Sequence, residues 1–339
     1  MTGLLGSSKT FVNGSLSFKN YMGGILSPNA SVNWASTWNA VYVPYCDGTS
    51  FSSDLAKPLT GTADAPEPPL YYRGRANMQA VVKHLLAAQG MATATHVLID
   101  GGSAGGLTTL LHADFFRSLL PSKATQFGAI GDAGWFRPDI SLDTKGYSKQ
   151  IATMWAVGNC SSSAACAAAN KADPSACGFA PTVFPFLESN MFVLEGAYDS
   201  WQLGSILGER CASYGQTLAK CSAAQNASIQ AYGTAMRRSI RAALSSTPHH
   251  SVHAGAFVSS CIIHVQSMDN ENHGWDADAN RYYDGSQWGK DAWNMNDEGK
   301  TPSQVVEAWF LGGGATDESE RVYIESVPFP GNKNCVLYT

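Results

Sequence analysis

Apolar positions along the chain alternate between two periods. From Arg75 to Gly90, Met78, Val81, Val82, Leu85 and Leu86 share one helical face and Gly90 closes it. Next, the β-prone run His96-Val97-Leu98-Ile99-Asp100 breaks into Gly101-Gly102-Ser103-Ala104-Gly105-Gly106, and apolar periodicity resumes from Leu107 until Pro121 ends it near Leu120. The same reading predicts strands over 39–45, 126–131, 191–194 and 254–263. It predicts helices over 228–244, with Arg237, Arg238 and Arg241 toward solvent, and over 301–311, with Val305, Val306, Trp309 and Phe310 inward. Residues 46–54 read as a loop and 57–69, with four prolines, as a surface excursion. Residues 158–182 are Cys-, Ala- and Ser-rich without a period, which reads as an insertion outside the core. With no repeat and no linker, residues 1–339 form one domain.

Strands alternating with helices predict an α/β fold, a mostly parallel sheet with helices on both faces. In such sheets the chemistry collects beyond the carboxyl ends of the strands. Ser103, Asp199 and His264 each follow a predicted strand, in the order nucleophile, acid, base that characterises α/β-hydrolases. Gly-x-Ser-x-Gly between strand and helix raises a serine on a strained turn, and Gly101 and Gly105 leave room for the next backbone. Serine is a weak nucleophile at neutral pH, so His264 would take its proton and Asp199 would hold the imidazole tautomer. The N–H of Ala104 would donate to the oxyanion. Other readings stay open at this level. The serine turn can be purely structural, Asp199 can be a helix cap, and Asp132 follows a strand too. His253 and His273 compete with His264, and His112 reads as a packed or surface residue. Trp135, Trp155 and Trp201 are candidates for a sugar- or lipid-binding pocket, or for the core.

Composition narrows the function class. Charged residues make up 14% of the chain, and 22 Lys and Arg against 27 Asp and Glu leave a net −5, which excludes a nucleic-acid-binding surface. Eight cysteines, at 46, 160, 166, 177, 211, 221, 261 and 335, include no C-x-x-C pair, so a zinc site is not expected. Five of them crowd into 160–221, which points to disulfides pinning insertions in an oxidising compartment. Sequons at Asn13, Asn29, Asn159 and Asn226 agree with secretion. Met1 to Phe11 carries no signal-peptide pattern, and no apolar run reaches membrane-spanning length.

Six stretches carry a family resemblance. They are Tyr45-Cys46-Asp47-Gly48-Thr49-Ser50-Phe51, Tyr72-Arg73-Gly74-Arg75, Gly101-Gly102-Ser103-Ala104-Gly105-Gly106, Gly131-Asp132-Ala133-Gly134, Ala197-Tyr198-Asp199-Ser200-Trp201-Gln202 and Ser259-Ser260-Cys261-Ile262-Ile263-His264-Val265-Gln266. Together they resemble the pectin acetylesterases of plants and microbes and their animal relative Notum. The resemblance implies an α/β-hydrolase-like fold, carries the triad onto Ser103, Asp199 and His264, and makes Asp132 a supporting residue. It implies an extracellular or cell-wall, monomeric esterase without metal or cofactor, acting on pectin or a related acetylated polysaccharide. Asp47, Trp135 and Trp201 become candidates for the substrate pocket. The alternatives are a Notum-like esterase of lipidated protein and a non-catalytic polysaccharide-binding relative.

The chain departs from the family pattern at Gly102 and Val265, where the family usually has Cys. Family members also carry a Gly-rich segment ending in Trp-Cys, upstream of the stretch that Leu5-Gly6-Ser7-Ser8-Lys9 resembles. The resemblance therefore implies that oxyanion donors and the first strands lie N-terminal to this chain. Loss of one oxyanion donor typically costs ~10²–10³ in turnover. A version extended upstream should hydrolyse 4-nitrophenyl acetate faster than residues 1–339 alone; equal, Ser103-dependent rates would refute this.

Overall fold

The computed structural model describes residues 23–61, 69–120, 126–138, 146–212, 218–267, 274–276, 281–283, 292–295, 299–312 and 317–335. The chain enters the sheet through α1 (Gly74–Ala88) and β1 (His96–Gly102), turns at Ser103 into α2 (Ala104–Leu119), and returns along β2 (Gln126–Asp132). Helices α3 (Gly146–Gly158), α4 (Ala164–Ala169) and α5 (Ala180–Val183) precede β3 (Met191–Gly196). Then come α6 (Ser200–Ser205), α7 (Ala223–Leu244), α8 (Pro248–His253) and β4 (Gly255–Ser259). An antiparallel ribbon of β5 (Gly274–Asp276) and β6 (Arg281–Tyr283) is followed by α9 (Pro302–Leu311), α10 (Glu318–Arg321) and β7 (Val322–Ile324). The main sheet is parallel throughout, in the order β1-β2-β3-β4-β7.

Strand residues alternate between two apolar layers, as a pleated sheet covered on both faces requires. Ala129, Met191, Val193, Ala256 and Val258 pack with residues of α2, α5 and α7, including Leu110, Val183 and Met236. Ile130, Phe192, Leu194 and Phe257 pack on the other face against Val305, Val306, Trp309 and Phe310 of α9. Helix α7 starts at Ser222 and α9 at Thr301, each with a reciprocal capping box that satisfies amide groups the helix cannot pair itself. Register brings the strand ends level: Gly102 pairs with Asp132, Asp132 with Leu194, and Gly196 with Ser259. The segments leaving β1 to β4 therefore emerge along one edge.

Four local expectations change. Residues 39–45 form no strand; Val41 and Val43 are exposed, so alternation there serves no sheet. Strand β4 ends at Ser259 rather than Ile263, because the chain bends back over the sheet edge. Arg237 is buried, its guanidinium 5.5 Å from the Tyr198 ring centroid and within hydrogen-bonding distance of Ser260 Oγ. The expected insertion at 158–182 is short helices whose Cys166, Cys177 and Ala180 belong to the core. Its lack of period reflects helices too short to display one.

Three disulfides join Cys166 to Cys177, Cys211 to Cys221 and Cys261 to Cys335. The first two close short local loops, as the clustering of cysteines predicts, and the third ties the C-terminal segment to the turn after β4. Cys46 and Cys160 are free thiols, and burial pushes Cys160 up to about 12. Among the described residues no helix is long and apolar enough to cross a membrane.

Two glycines let α2 lie directly on the strand ends. A Cβ on Gly106 would stand 2.1 Å from the main-chain oxygen of Asp132, and one on Gly101 would stand 2.3 Å from that of Gly105. Of the two positions expected to be tight, Gly101 is, whereas Gly105 has open space around its Cβ direction. Gly106→Ala should therefore destabilise the protein by ~1–3 kcal/mol or more, since backbone rather than a flexible side chain must move. Gly105→Ala should be much milder; equal shifts in thermal midpoint for the two would contradict this packing.

Candidate active site

Ser103 sits between β1 and α2 at φ 58° and ψ −118°, a conformation that a non-glycine residue adopts only when its surroundings impose it. Those surroundings are on both sides of it. Its N–H donates to the main-chain oxygen of Asp132 at 2.9 Å, and its own oxygen accepts from Leu107 N at 2.9 Å. Strain at a strand-to-helix turn of this kind is what the nucleophile reading of Ser103 requires. Ala104 follows as the first residue of α2, so its N–H belongs to a helix N-terminus, where negative charge is favoured.

Asp199 leaves β3 and caps α6. Its Oδ1 accepts the N–H of Gln202 at 2.7 Å, and its Oδ2 receives His264 Nδ1 at 2.7 Å. The carboxyl is wholly buried, while 17% of the imidazole remains exposed. Cap and histidine partner are thus one residue, not rival readings. Burial pulls the imidazole pKa down, but the Asp199 carboxylate, the hydrogen bond to it and Asp132 outweigh that, so the net shift is upward. With Nδ1 engaged, Nε2 is the nitrogen left to exchange a proton elsewhere.

Asp132 ties the serine and the histidine together. While its main-chain oxygen holds Ser103, its carboxylate Oδ2 accepts Gln266 N at 2.7 Å and Ser267 N at 2.6 Å. Asp132 is therefore not the partner of the imidazole; it fixes the backbone two and three residues beyond it. Ser267 Oγ donates to Asp100 Oδ2 at 2.7 Å, and Ser200 N to the oxygen of Ile263 at 3.2 Å, so the turn over 260–267 is pinned from both sides. Within it Val265 lies at φ 64°, a costly position for a β-branched residue. Among the described residues Ser103 Oγ has no hydrogen bond to His264, a contact that tightens in many hydrolases only when substrate is bound.

The other candidates divide. Trp201 stacks on His264 with ring centroids 6.1 Å apart and planes 25° apart, and meets Phe136 and Tyr147 edge-on. This gives the histidine an aromatic wall. Trp135, by contrast, is completely buried against Phe184, its Nε1 donating to Ser239 Oγ, so it lines no pocket. Asp47 organises its own loop: it accepts the amides of Thr49 and Phe51 and the hydroxyls of Thr49 and Ser53, which leaves it committed to structure. His112 is packed, its Nε2 2.9 Å from Ser52 Oγ. His253 precedes β4, at the opposite end of the sheet from Ser103, and His273 lies outside the described residues. No group of three or more His, Cys, Asp or Glu able to hold a metal occurs among the described residues.

Periodicity missed three residues, Asp100, Glu195 and Ser267. The signal for the first two was present: an acid closing an apolar strand, as in Val97-Leu98-Ile99-Asp100 and Phe192-Val193-Leu194-Glu195, has no place in a core unless it has work there. Ser267 carries no such mark.

A family model described as Pectinacetylesterase matches residues 2–336. Pectin acetylesterase 7 of Arabidopsis thaliana is 32% identical over 271 residues, covering 77% of this chain and 64% of the relative's length. Palmitoleoyl-protein carboxylesterase notum2 of Xenopus laevis is 30% identical over 199 residues, covering 53% of this chain and 38% of that protein. The crystal structure of the Wnt deacylase Notum from Drosophila superposes with a TM-score of 0.71 at 20% identity, covering 92% of this chain and 79% of that one, which establishes the shared fold. The chain thus spans slightly less than two thirds of the plant relative.

Burial, then the neighbouring Asp132, raises Asp100 from 3.8 to about 8. A carboxyl whose pKa rises on folding stabilises the fold fully below its unfolded value, and that contribution is lost as pH climbs through the folded value. Stability should accordingly fall between about pH 4 and pH 8. Asp100→Asn keeps an acceptor for Ser267 and should flatten this slope in chemical denaturation; an unchanged slope would show that Asp100 does not titrate there.

Proposed function

The chain belongs to the pectinacetylesterase family, and on that premise we propose that it is a serine carboxylic ester hydrolase that removes acetyl groups from pectin or a related cell-wall polysaccharide. The observation that carries the reading is the 2.7 Å hydrogen bond between His264 Nδ1 and Asp199 Oδ2, on the same sheet edge as the strained serine turn. Ser103 Oγ attacks the ester carbonyl while His264 Nε2 takes its proton. Asp199 holds the tautomer and offsets the charge the ring acquires. The N–H of Ala104, at the start of α2, donates to the oxyanion. His264 returns the proton to the leaving sugar hydroxyl, leaving an acetyl-serine that water hydrolyses by the same steps reversed.

The surroundings fit this chemistry. The upward shift of His264 favours the imidazolium that forms during attack. Trp201 shields one face of the ring, and Phe136 and Tyr147 pack against Trp201 and hold it there. The net charge of −5 gives no general attraction to a polyanion, so recognition of pectin would rest on local contacts. Three disulfides support an extracellular or cell-wall location.

Ser103→Ala should abolish acetate release from acetylated pectin while circular dichroism stays that of the wild type. A fluorophosphonate probe should label the wild type and not the variant. Undiminished release by Ser103→Ala would remove that residue from the mechanism. Preferential cleavage of a palmitoleoylated peptide over acetylated pectin would transfer the assignment to lipid esters.

A further inference from the structure

Glu195, four residues before Asp199, is a carboxyl with no exposed surface at the end of β3. One oxygen, Oε2, accepts the N–H of Trp135 at 2.9 Å. The other, Oε1, is buried and receives no N–H or O–H donor among the described residues. The Glu195 and Asp199 side chains are nonetheless in hydrogen-bonding contact. Two carboxyl groups can share a hydrogen bond only if one carries a proton.

Which one carries it follows from their partners. Asp199 already accepts two hydrogen bonds, from Gln202 N and His264 Nδ1, and both favour a carboxylate. Glu195 accepts one backbone N–H, from Trp135, and no other N–H or O–H among the described residues. The charged groups around it are Asp199, in the turn after its own strand, and Asp132, at the end of β2. Arg237 of α7 is turned to the Tyr198 ring and Ser260, and no cation is among the charged groups that act on Glu195. The imidazole faces Asp199 and Asp132, so a single imidazolium already has two carboxyl groups to offset and none of its charge is directed at Glu195.

We infer that Glu195 is held as a neutral carboxylic acid whose O–H donates to the Asp199 carboxylate, adding a fourth link, Glu195–Asp199–His264–Ser103, to the chain proposed above. Glu195 is a positioning residue. It meets neither the substrate nor the histidine, but it fixes the carboxylate that orients the histidine without adding a second negative charge behind it. Burial, followed by Asp199, pushes Glu195 well above the usual carboxyl range, in agreement with this state. The catalytic consequence rests on the proposed esterase reading; the protonation state does not.

The test compares the wild type with Glu195→Gln and Glu195→Leu. Glutamine reproduces a neutral donor and acceptor, whereas leucine removes both. In infrared spectra at neutral pH, the wild type should show a protonated-carboxyl carbonyl band that Glu195→Gln lacks. Glu195→Gln should keep turnover within about twofold of the wild type and leave the acid limb of the pH–rate profile in place, since no charge has changed. Glu195→Leu should lose ~10-fold or more in kcat at unchanged KM, because a donor to a buried charge is gone. It should also move the His264 titration followed by NMR. An absent carbonyl band, or an acid limb lowered in Glu195→Gln, would mean that Glu195 is ionised and would overturn the inference. If Glu195→Leu does not fold, the glutamine comparison and the infrared band decide. If the wild type shows no Ser103-dependent hydrolysis, the esterase reading fails, while the band and the NMR titration still decide the state of Glu195.

Discussion

The candidate site depends on the position of one residue, Asp132. Its main-chain oxygen fixes the N–H of Ser103, and its carboxylate fixes the amides of Gln266 and Ser267. Its carbonyl also sets how closely α2 can approach, since Gly106 leaves no room there for a Cβ. A serine and a histidine 161 residues apart in numbering thus share a single anchor at the end of a central strand. A charged acceptor buried with two backbone donors is among the stronger local interactions available to a protein. Removing it would leave two amides unpaired beneath the histidine turn.

The same edge concentrates acid groups. Asp100, Asp132, Glu195 and Asp199 close three adjacent strands or follow them directly, and His264 is the titratable base set among them. Burial raises Asp132 to about 6 even though it accepts hydrogen bonds from the Ser267 and Gln266 amides. Such crowding costs stability, and folds keep it where the field of the carboxyl groups has a use. Here Asp199 and Asp132 supply that field to the imidazole, while Asp100 and Glu195 shed the cost by remaining protonated through part of the neutral range.

Much of this was legible in the residues because strong periodicity and turn chemistry coincide. The segment 96–120 reads as strand, turn and helix, and the sheet bears it out through β1, Ser103 and α2. Helix α9 was equally readable, its apolar face matching the residues that cover the sheet. Legibility fails where a segment's role comes from distant partners. Val41 and Val43 alternate like a strand but find no neighbour to pair with. Trp135 looks like a sugar platform until the packing of Phe184 and Ser239 around it is known. Arg237 belongs to a helix face that reads as wet, and a tyrosine ring from the strand end covers it. Asp132 and Asp199 both follow strands, and only the return of the 260–267 turn tells their tasks apart.

Asp199 divides its two oxygens between architecture and chemistry, one capping α6 and one facing the imidazole. A glutamate could orient a histidine equally well in the abstract. At this position its extra methylene would carry the carboxyl past the amide of Gln202, uncapping the helix that carries Trp201 alongside the ring. The choice of aspartate over glutamate is therefore made by the helix and not by the reaction. Changes to the short turn 199–205 would reach the histidine twice, once through its hydrogen bond and once through the aromatic wall beside it.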